Sequence, residues 1–204
     1  MTSTASPSLL FLPGGSGRGE FWDPIRAELA DLPTMAVDWP GLGGTPAVPS
    51  VRSYDGLVAH VADMIDAPLA LVGQSMGGYV AARVAVAMPD RVTHLVLAVT
   101  SAGVDMAALG ATDWRPGARR SRPDDPPWVY DDQPDLSDSL AQLTVPVLLL
   151  WASRDAISPL AVGERLQHLL VGSELVVYDS DDHWVVRDHA VDVASRIRRL
   201  VSIP

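Results

Sequence analysis

LALVGQSMGGYVAARVAVAMP, residues Leu69–Pro89, is the stretch on which the reading of the chain turns. Leu69–Val72 is short, apolar and preceded by Pro68, the pattern of a buried strand. Gly77–Met88 is rich in good helix formers, and Pro89 ends it because the residue before a proline avoids the helical region. Between the two lies Gly73-Gln74-Ser75-Met76-Gly77, a G-x-S-x-G sequence in a strand–turn–helix setting. Such a turn holds its serine in a strained conformation, and side chains at Gly73 and Gly77 would collide with neighbouring elements. A glycine-rich turn whose serine merely caps a helix has the same spelling, so the rest of the chain must decide.

Outward from this segment, strands and helices alternate. Strands are predicted at Ser8–Leu12, Thr34–Val37, Val92–Val99, Val145–Trp151 and Glu174–Tyr178. Helices are predicted at Phe21–Ala30, Tyr54–Ile65, Leu160–Leu170 and Asp188–Leu200. The alternation implies right-handed crossovers and a doubly wound, mostly parallel sheet of about six strands with helices on both faces, an α/β fold. At 204 residues and 48% hydrophobic content the chain suits one domain, residues 1–204. Residues from about 105 to 135 break the rhythm with five prolines, four arginines and the aromatics Trp114, Trp128 and Tyr130. A connection of that length reads as a short lid inserted between strand and helix.

Composition excludes several functions. A formal charge of −10 argues against nucleic acid, which needs a basic face. There is no cysteine, hence no disulfide, thiolate metal site or cysteine nucleophile. No apolar run reaches membrane-spanning length, and the start of the chain lacks the basic and apolar regions of a secretion signal. The expected protein is cytoplasmic, binds a small-molecule substrate, and needs neither membrane nor nucleic acid.

Ligands of open parallel sheets bind beyond the strand C-termini, where strand order reverses. With the first strand central, that crevice brings together LPGGSG (Leu12–Gly17) and GQSMG. A serine there needs a base. Of five histidines, His60 and His168 fall in helices, His94 in a strand and His189 at the start of the last helix, where it is expected to face solvent. His183, just past the sixth strand, lies at the right edge of the sheet. The carboxylate that orients such a base is expected from Asp155, just after the fifth strand, with Asp105 after the fourth as the alternative. Asp179, Asp181 and Asp182 stand too close to His183 in sequence to reach its far ring nitrogen, and one histidine among loop aspartates is a poor metal set. The order Ser75, Asp155, His183 is that of one known triad architecture, and the Met76 N–H at the helix start would serve an oxyanion hole with a second N–H from LPGGSG. Gly14-Gly15-Ser16-Gly17 does not make a dinucleotide fingerprint, since the spacing and the acid ending the second strand are not present together.

The whole chain resembles a small α/β-hydrolase-fold protein. Gly73–Gly78 is similar to the elbow of that superfamily, VDWPGLGGT (Val37–Thr45) to its D-x-P-G-x-G-x-S loop, LTVPVLLLWASRDAISP to its acid loop and DDHWVVRDHAVDV to its histidine loop. The resemblance implies Ser75 as nucleophile, His183 as base and Asp155 as acid, with no metal or cofactor. The family's His-Gly-x oxyanion segment corresponds to Pro13-Gly14-Gly15, which implies Gly15 N–H as the second donor. Proline in place of histidine at Pro13 implies altered support for that loop, and seven residues before the first strand imply that the two N-terminal strands of the full fold are absent. The expected function is a serine hydrolase cleaving an ester-like acyl substrate. The alternatives are a carbon–carbon bond hydrolase or lyase on the same triad, hinted at by HWVV at His183–Val186, and a ligand-binding protein without turnover. Trp114 and Trp128 are expected to line the substrate pocket. The lid arginines are expected to pair with neighbouring aspartates rather than with substrate.

Overall fold

The computed structural model describes residues 8–203. The reading of the chain start as free of a secretion signal rests partly on residues 1–7, which lie outside them. Six strands form one all-parallel sheet: β1 (Ser8–Leu12), β2 (Thr34–Ala36), β3 (Leu69–Gln74), β4 (Val92–Ala98), β5 (Val147–Ala152) and β6 (Glu174–Tyr178). Their order is β2-β1-β3-β4-β5-β6, so the chain winds outward from β1 in both directions. The central strands are near-continuous apolar runs because both their faces are covered; every residue of β3 and β5 is buried.

The helices are α1 (Asp23–Glu28), α2 (Tyr54–Ala62), α3 (Met76–Ala87), α4 (Arg115–Ser121), α5 (Ser137–Leu140), α6 (Leu160–Leu169), α7 (Val185–Asp188) and α8 (Ala190–Leu200). Right-handed crossovers running in opposite directions from β1 put α1 on one face and α2, α3 and α6 on the other. Accordingly α1 packs on α8, and α2 on α3.

Two expected helices differ from the reading. Phe21–Ala30 is a 3-10 turn at Gly19–Trp22 followed by the short α1, because the buried Trp22 indole leaves the helix to donate to the Leu12 carbonyl at 3.1 Å. The helix expected at Asp188–Leu200 begins at Ala190, and the short α7 (Val185–Asp188) precedes it across His189. That histidine is half-buried, not solvent-facing: its ring stacks on Tyr178 at 4.3 Å and 14°. Residues 105–135 fold into a 3-10 turn (Ala107–Leu109), α4 and a second 3-10 turn (Pro127–Tyr130). Trp128, Val129 and Tyr130 join the main core.

Candidate active site

The turn between β3 and α3 is built by exclusion of side chains. A Cβ on Gly73 would lie 2.6 Å from the Gly77 carbonyl carbon, and one on Gly77 would lie 2.6 Å from that of Leu12. Ser75 sits at φ 53°, ψ −118°, a left-handed region that favours glycine. Its N–H donates to the Ala98 carbonyl at 2.9 Å, and its own carbonyl accepts from the Thr100 hydroxyl at 2.6 Å. The side chain makes no capping bond to α3, so helix capping does not explain this serine. Val99 (φ 40°) and Ala102 (φ 43°), on either side of Thr100-Ser101, also have positive φ. Backbone strain of this kind costs about 1–3 kcal/mol per residue and persists where surrounding contacts over-determine it.

Asp155 is 3% exposed and fully partnered. One carboxylate oxygen accepts from the Ile157 and Ser158 N–H groups at 2.8 and 3.2 Å; the other faces His183 Nδ1 at 2.6 Å. A carboxylate only accepts, so Nδ1 carries the proton and Nε2 is left as the basic nitrogen. Asp105 is exposed, and its carboxylate caps a turn through the Ala107 and Ala108 N–H groups. Three other histidines are occupied elsewhere. His94 is buried against the Ile203 carbonyl, His168 bonds the Glu164 carbonyl of its own helix, and His189 stacks on Tyr178. Ser75 and His183 line one cavity of about 530 Å³ beyond the strand C-termini, with Asp155 behind the imidazole.

Gly15 and Met76 line the same cavity. Met76 opens α3, and first-turn N–H groups have no partner within their helix. The Gly14 carbonyl accepts from the Gly17 N–H at 3.1 Å, so in a trans peptide the Gly15 N–H points the opposite way. The Gly15 carbonyl in turn accepts from the Arg122 guanidinium. Support for the loop, where Pro13 stands, comes from two fully buried indoles. Trp22 donates to the Leu12 carbonyl at 3.1 Å and Trp39 to the Pro13 carbonyl at 2.9 Å.

Residues 9–138 match the alpha/beta hydrolase family, and residues 124–201 match a family described as TAP-like protein. The chain belongs to the α/β-hydrolase family. Among curated relatives of this α/β hydrolase is a pimeloyl-[acyl-carrier protein] methyl ester esterase of Neisseria meningitidis serogroup B. It is 31% identical, over 92% of this chain and 89% of that protein. A 2-hydroxy-6-oxononadienedioate/2-hydroxy-6-oxononatrienedioate hydrolase of Burkholderia vietnamiensis is 26% identical over 98% and 87%. Among solved structures, a thermophilic esterase from Thermogutta terrifontis shares the fold with a TM-score of 0.78 at 23% identity. The match covers 96% of this chain and 89% of that one.

Within this α/β hydrolase the rest of the cavity is mostly apolar, with Phe21, Met106, Trp114 and Ile157 among its walls. Trp114 therefore lies where the sequence put it. Trp128 does not: it is buried edge-on against the Tyr54 ring at 5.5 Å and borders a separate groove beside Pro40 and Pro126. Its 3-10 turn, opened by Pro126 and Pro127, buries Trp128, Val129 and Tyr130 together. The arginines divide. Arg115 pairs with Asp132 and Asp113 at 3.3 and 3.4 Å, and Arg119 lies over the Tyr130 ring at 4.3 Å. Arg122 pairs with Asp125 at 3.3 Å yet also reaches the cavity wall.

Several wall residues had no signal in the sequence. Tyr54, Ser101 and Gln133 come from three separate segments, with the Ser101 hydroxyl donating to the Gln133 side-chain oxygen at 2.7 Å. The Tyr54 hydroxyl donates to the Val129 carbonyl at 2.9 Å, and burial pushes its pKa up to about 12. Trp184 and Gln74 also line the cavity, and both were in view as neighbours of His183 and Ser75. Among the described residues no group of three or more His, Cys, Asp and Glu side chains could hold a metal, and no helix is long and apolar enough to cross a membrane.

Proposed function

We propose that this hydrolase cleaves carboxylic esters by a covalent serine mechanism. The observation that carries the reading is the 2.6 Å bond between His183 Nδ1 and the buried Asp155, beside a serine held in a strained turn on the same cavity. Ser75 Oγ attacks the ester carbonyl while His183 Nε2 takes its proton; Asp155 fixes the tautomer and stabilises the imidazolium. The oxyanion is stabilised by the N–H groups of Gly15 and Met76, with the positive end of the α3 dipole behind them. The carbonyl re-forms as His183 returns the proton to the departing alcohol. Water, activated by the same imidazole, then releases the acid and regenerates Ser75. Trp114 contacts the acyl group from the insertion, which acts as a short lid on a single domain. Curated relatives named as methyl ester esterases support an ester substrate.

A carbon–carbon bond hydrolase is the second reading. It is favoured by relatives named as 2-hydroxy-6-oxononadienedioate/2-hydroxy-6-oxononatrienedioate hydrolases and by Trp184, which adjoins His183 on the cavity wall. A fluorophosphonate probe is expected to label Ser75, and Ser75→Ala to abolish labelling and turnover with an unchanged circular dichroism spectrum. Labelling of another serine, or an active Ser75→Ala protein, would refute the mechanism. Turnover of vinylogous diketones in preference to simple esters would select the second reading.

A further inference from the structure

Gln74 has no part in the steps above, yet from the serine's own turn its side chain reaches two other loops. It is 2% exposed, and its Nε2 donates to the main-chain carbonyl of His183 at 3.2 Å. Its amide also fills the space beside Gly14: a Cβ there would lie 3.2 Å from the Gln74 amide carbon and closer still to its oxygen. Only the NH₂ end can pair with a carbonyl, so the oxygen faces Gly14. One side chain on the serine's own turn thus reaches the loop of the base and the loop of the Gly15 N–H.

The two contacts to His183 are complementary. Among the described residues, its hydrogen bonds from outside its own loop come from Asp155, which holds the ring, and Gln74, which holds the backbone. The loop is also tied at Ser180, whose carbonyl accepts from the Arg154 N–H at 2.9 Å, while bonds nearer the tip are local, such as Trp184 N–H to Asp182 at 2.8 Å. Losing the amide would leave the His183 main chain without this tie and open space beside Gly14.

We infer that Gln74 is a positioning residue that sets His183 and the Gly14–Gly15 peptide in register with Ser75, so that base and oxyanion donor meet one carbonyl. The inference rests on the serine-hydrolase reading above. A misplacement of about 1 Å is enough to cost roughly a hundredfold in rate. The effect belongs on kcat rather than KM, because register matters most where charge develops.

The test uses Gln74→Leu and Gln74→Met, which keep the bulk and lose the amide. The expected result with a p-nitrophenyl alkanoate is a kcat lower by about 10- to 100-fold, with KM within about twofold. Affinity for a trifluoromethyl ketone, which mimics the tetrahedral oxyanion, should fall in step with kcat/KM. A purely structural role would lower the melting temperature without moving that affinity. Gly14→Ala gives a second probe: its methyl pushes on the amide, so it should lower kcat in the wild-type background and cost much less beside Gln74→Ala. Full kcat and unchanged ketone affinity in folded Gln74→Leu and Gln74→Met would overturn the inference, as would additive costs in the Gly14–Gln74 pair. Should the Gln74 variants not fold, Gly14→Ala decides, and no loss of kcat there overturns it. Wild-type protein that neither takes the fluorophosphonate nor hydrolyses any ester would remove the Ser75 reading, and this inference with it.

Discussion

Asp155 and Asp105 are the same residue type at the same end of neighbouring strands, and burial separates them. Asp155 is enclosed with three donors on its carboxylate; Asp105 is exposed and caps a turn. Asp155→Asn is expected to lower kcat by roughly 10⁴-fold, the scale found when a triad acid is neutralised. Asp105→Asn, which can still accept both turn bonds, should leave kcat within about twofold. Esterase kinetics on both purified variants check this, and a critical Asp105 would overturn the assignment. The positions of Ser75, Asp155 and His183 were legible because each follows a strand on one sheet edge, and topology alone carries strand ends to a common crevice. Gln74 and Arg122 were not. Their parts depend on where a long side chain points, across separations of 109 and 107 residues, and no local pattern encodes that.

Among elements, the parallel strands were the most legible, because two-sided burial writes them as unbroken apolar runs. The ends of α1 and the break between α7 and α8 were not, being set by the Trp22 indole and by the His189–Tyr178 stack. The insertion shows the same divide. Its aromatics were expected at the cavity, and Trp114 is there while Trp128 packs into the core. Trp114→Ala should therefore lower kcat/KM most for the acyl chains wild type prefers. Trp128→Ala should leave acyl preference unchanged and destabilise by about 3 kcal/mol, the cost of a large-to-small change in a core. A series of ester chain lengths and urea unfolding separate the two outcomes. At the far end of the chain, α8 is tied to β6 by Arg196, which bonds Asp192 at 2.7 Å and Glu174 at 2.8 Å, and by the Tyr178 hydroxyl, 2.8 Å from Asp192. The Arg196 hydrogen bond lowers the pKa of Asp192 from 3.8. A lowered folded-state value stabilises above 3.8 and is lost as pH falls through the folded value. Asp192→Asn should therefore cost up to about 1 kcal/mol at neutral pH, since the site is half exposed, and nothing in strong acid. Urea unfolding at the two pH values tests the sign.

For the molecule as a whole, the winding outward from β1 followed from the alternation of elements and the place of the two glycine-rich loops. The seating of the insertion did not, because it is fixed by pairs distant in sequence, such as Tyr54 with the Val129 carbonyl. The charge of −10 is likewise visible in composition, but several of the arginines within it are tied up in pairs with aspartates across the surface. One feature of the turn reaches beyond the site. Ser75 occupies backbone angles that glycine adopts freely, so the residue proposed as nucleophile stands where folding alone would favour glycine. Ser75→Gly should be more stable than wild type by about 1 kcal/mol, the released strain less the extra freedom of the unfolded chain. That would raise the midpoint of thermal unfolding by about 2–4 °C for a chain of this size; a lower midpoint would deny the strain. The inactive protein would then be the hardier one. Breeding this chain for endurance alone, with no demand for turnover, would select against the serine proposed as its nucleophile, and the survivors would be durable and inert.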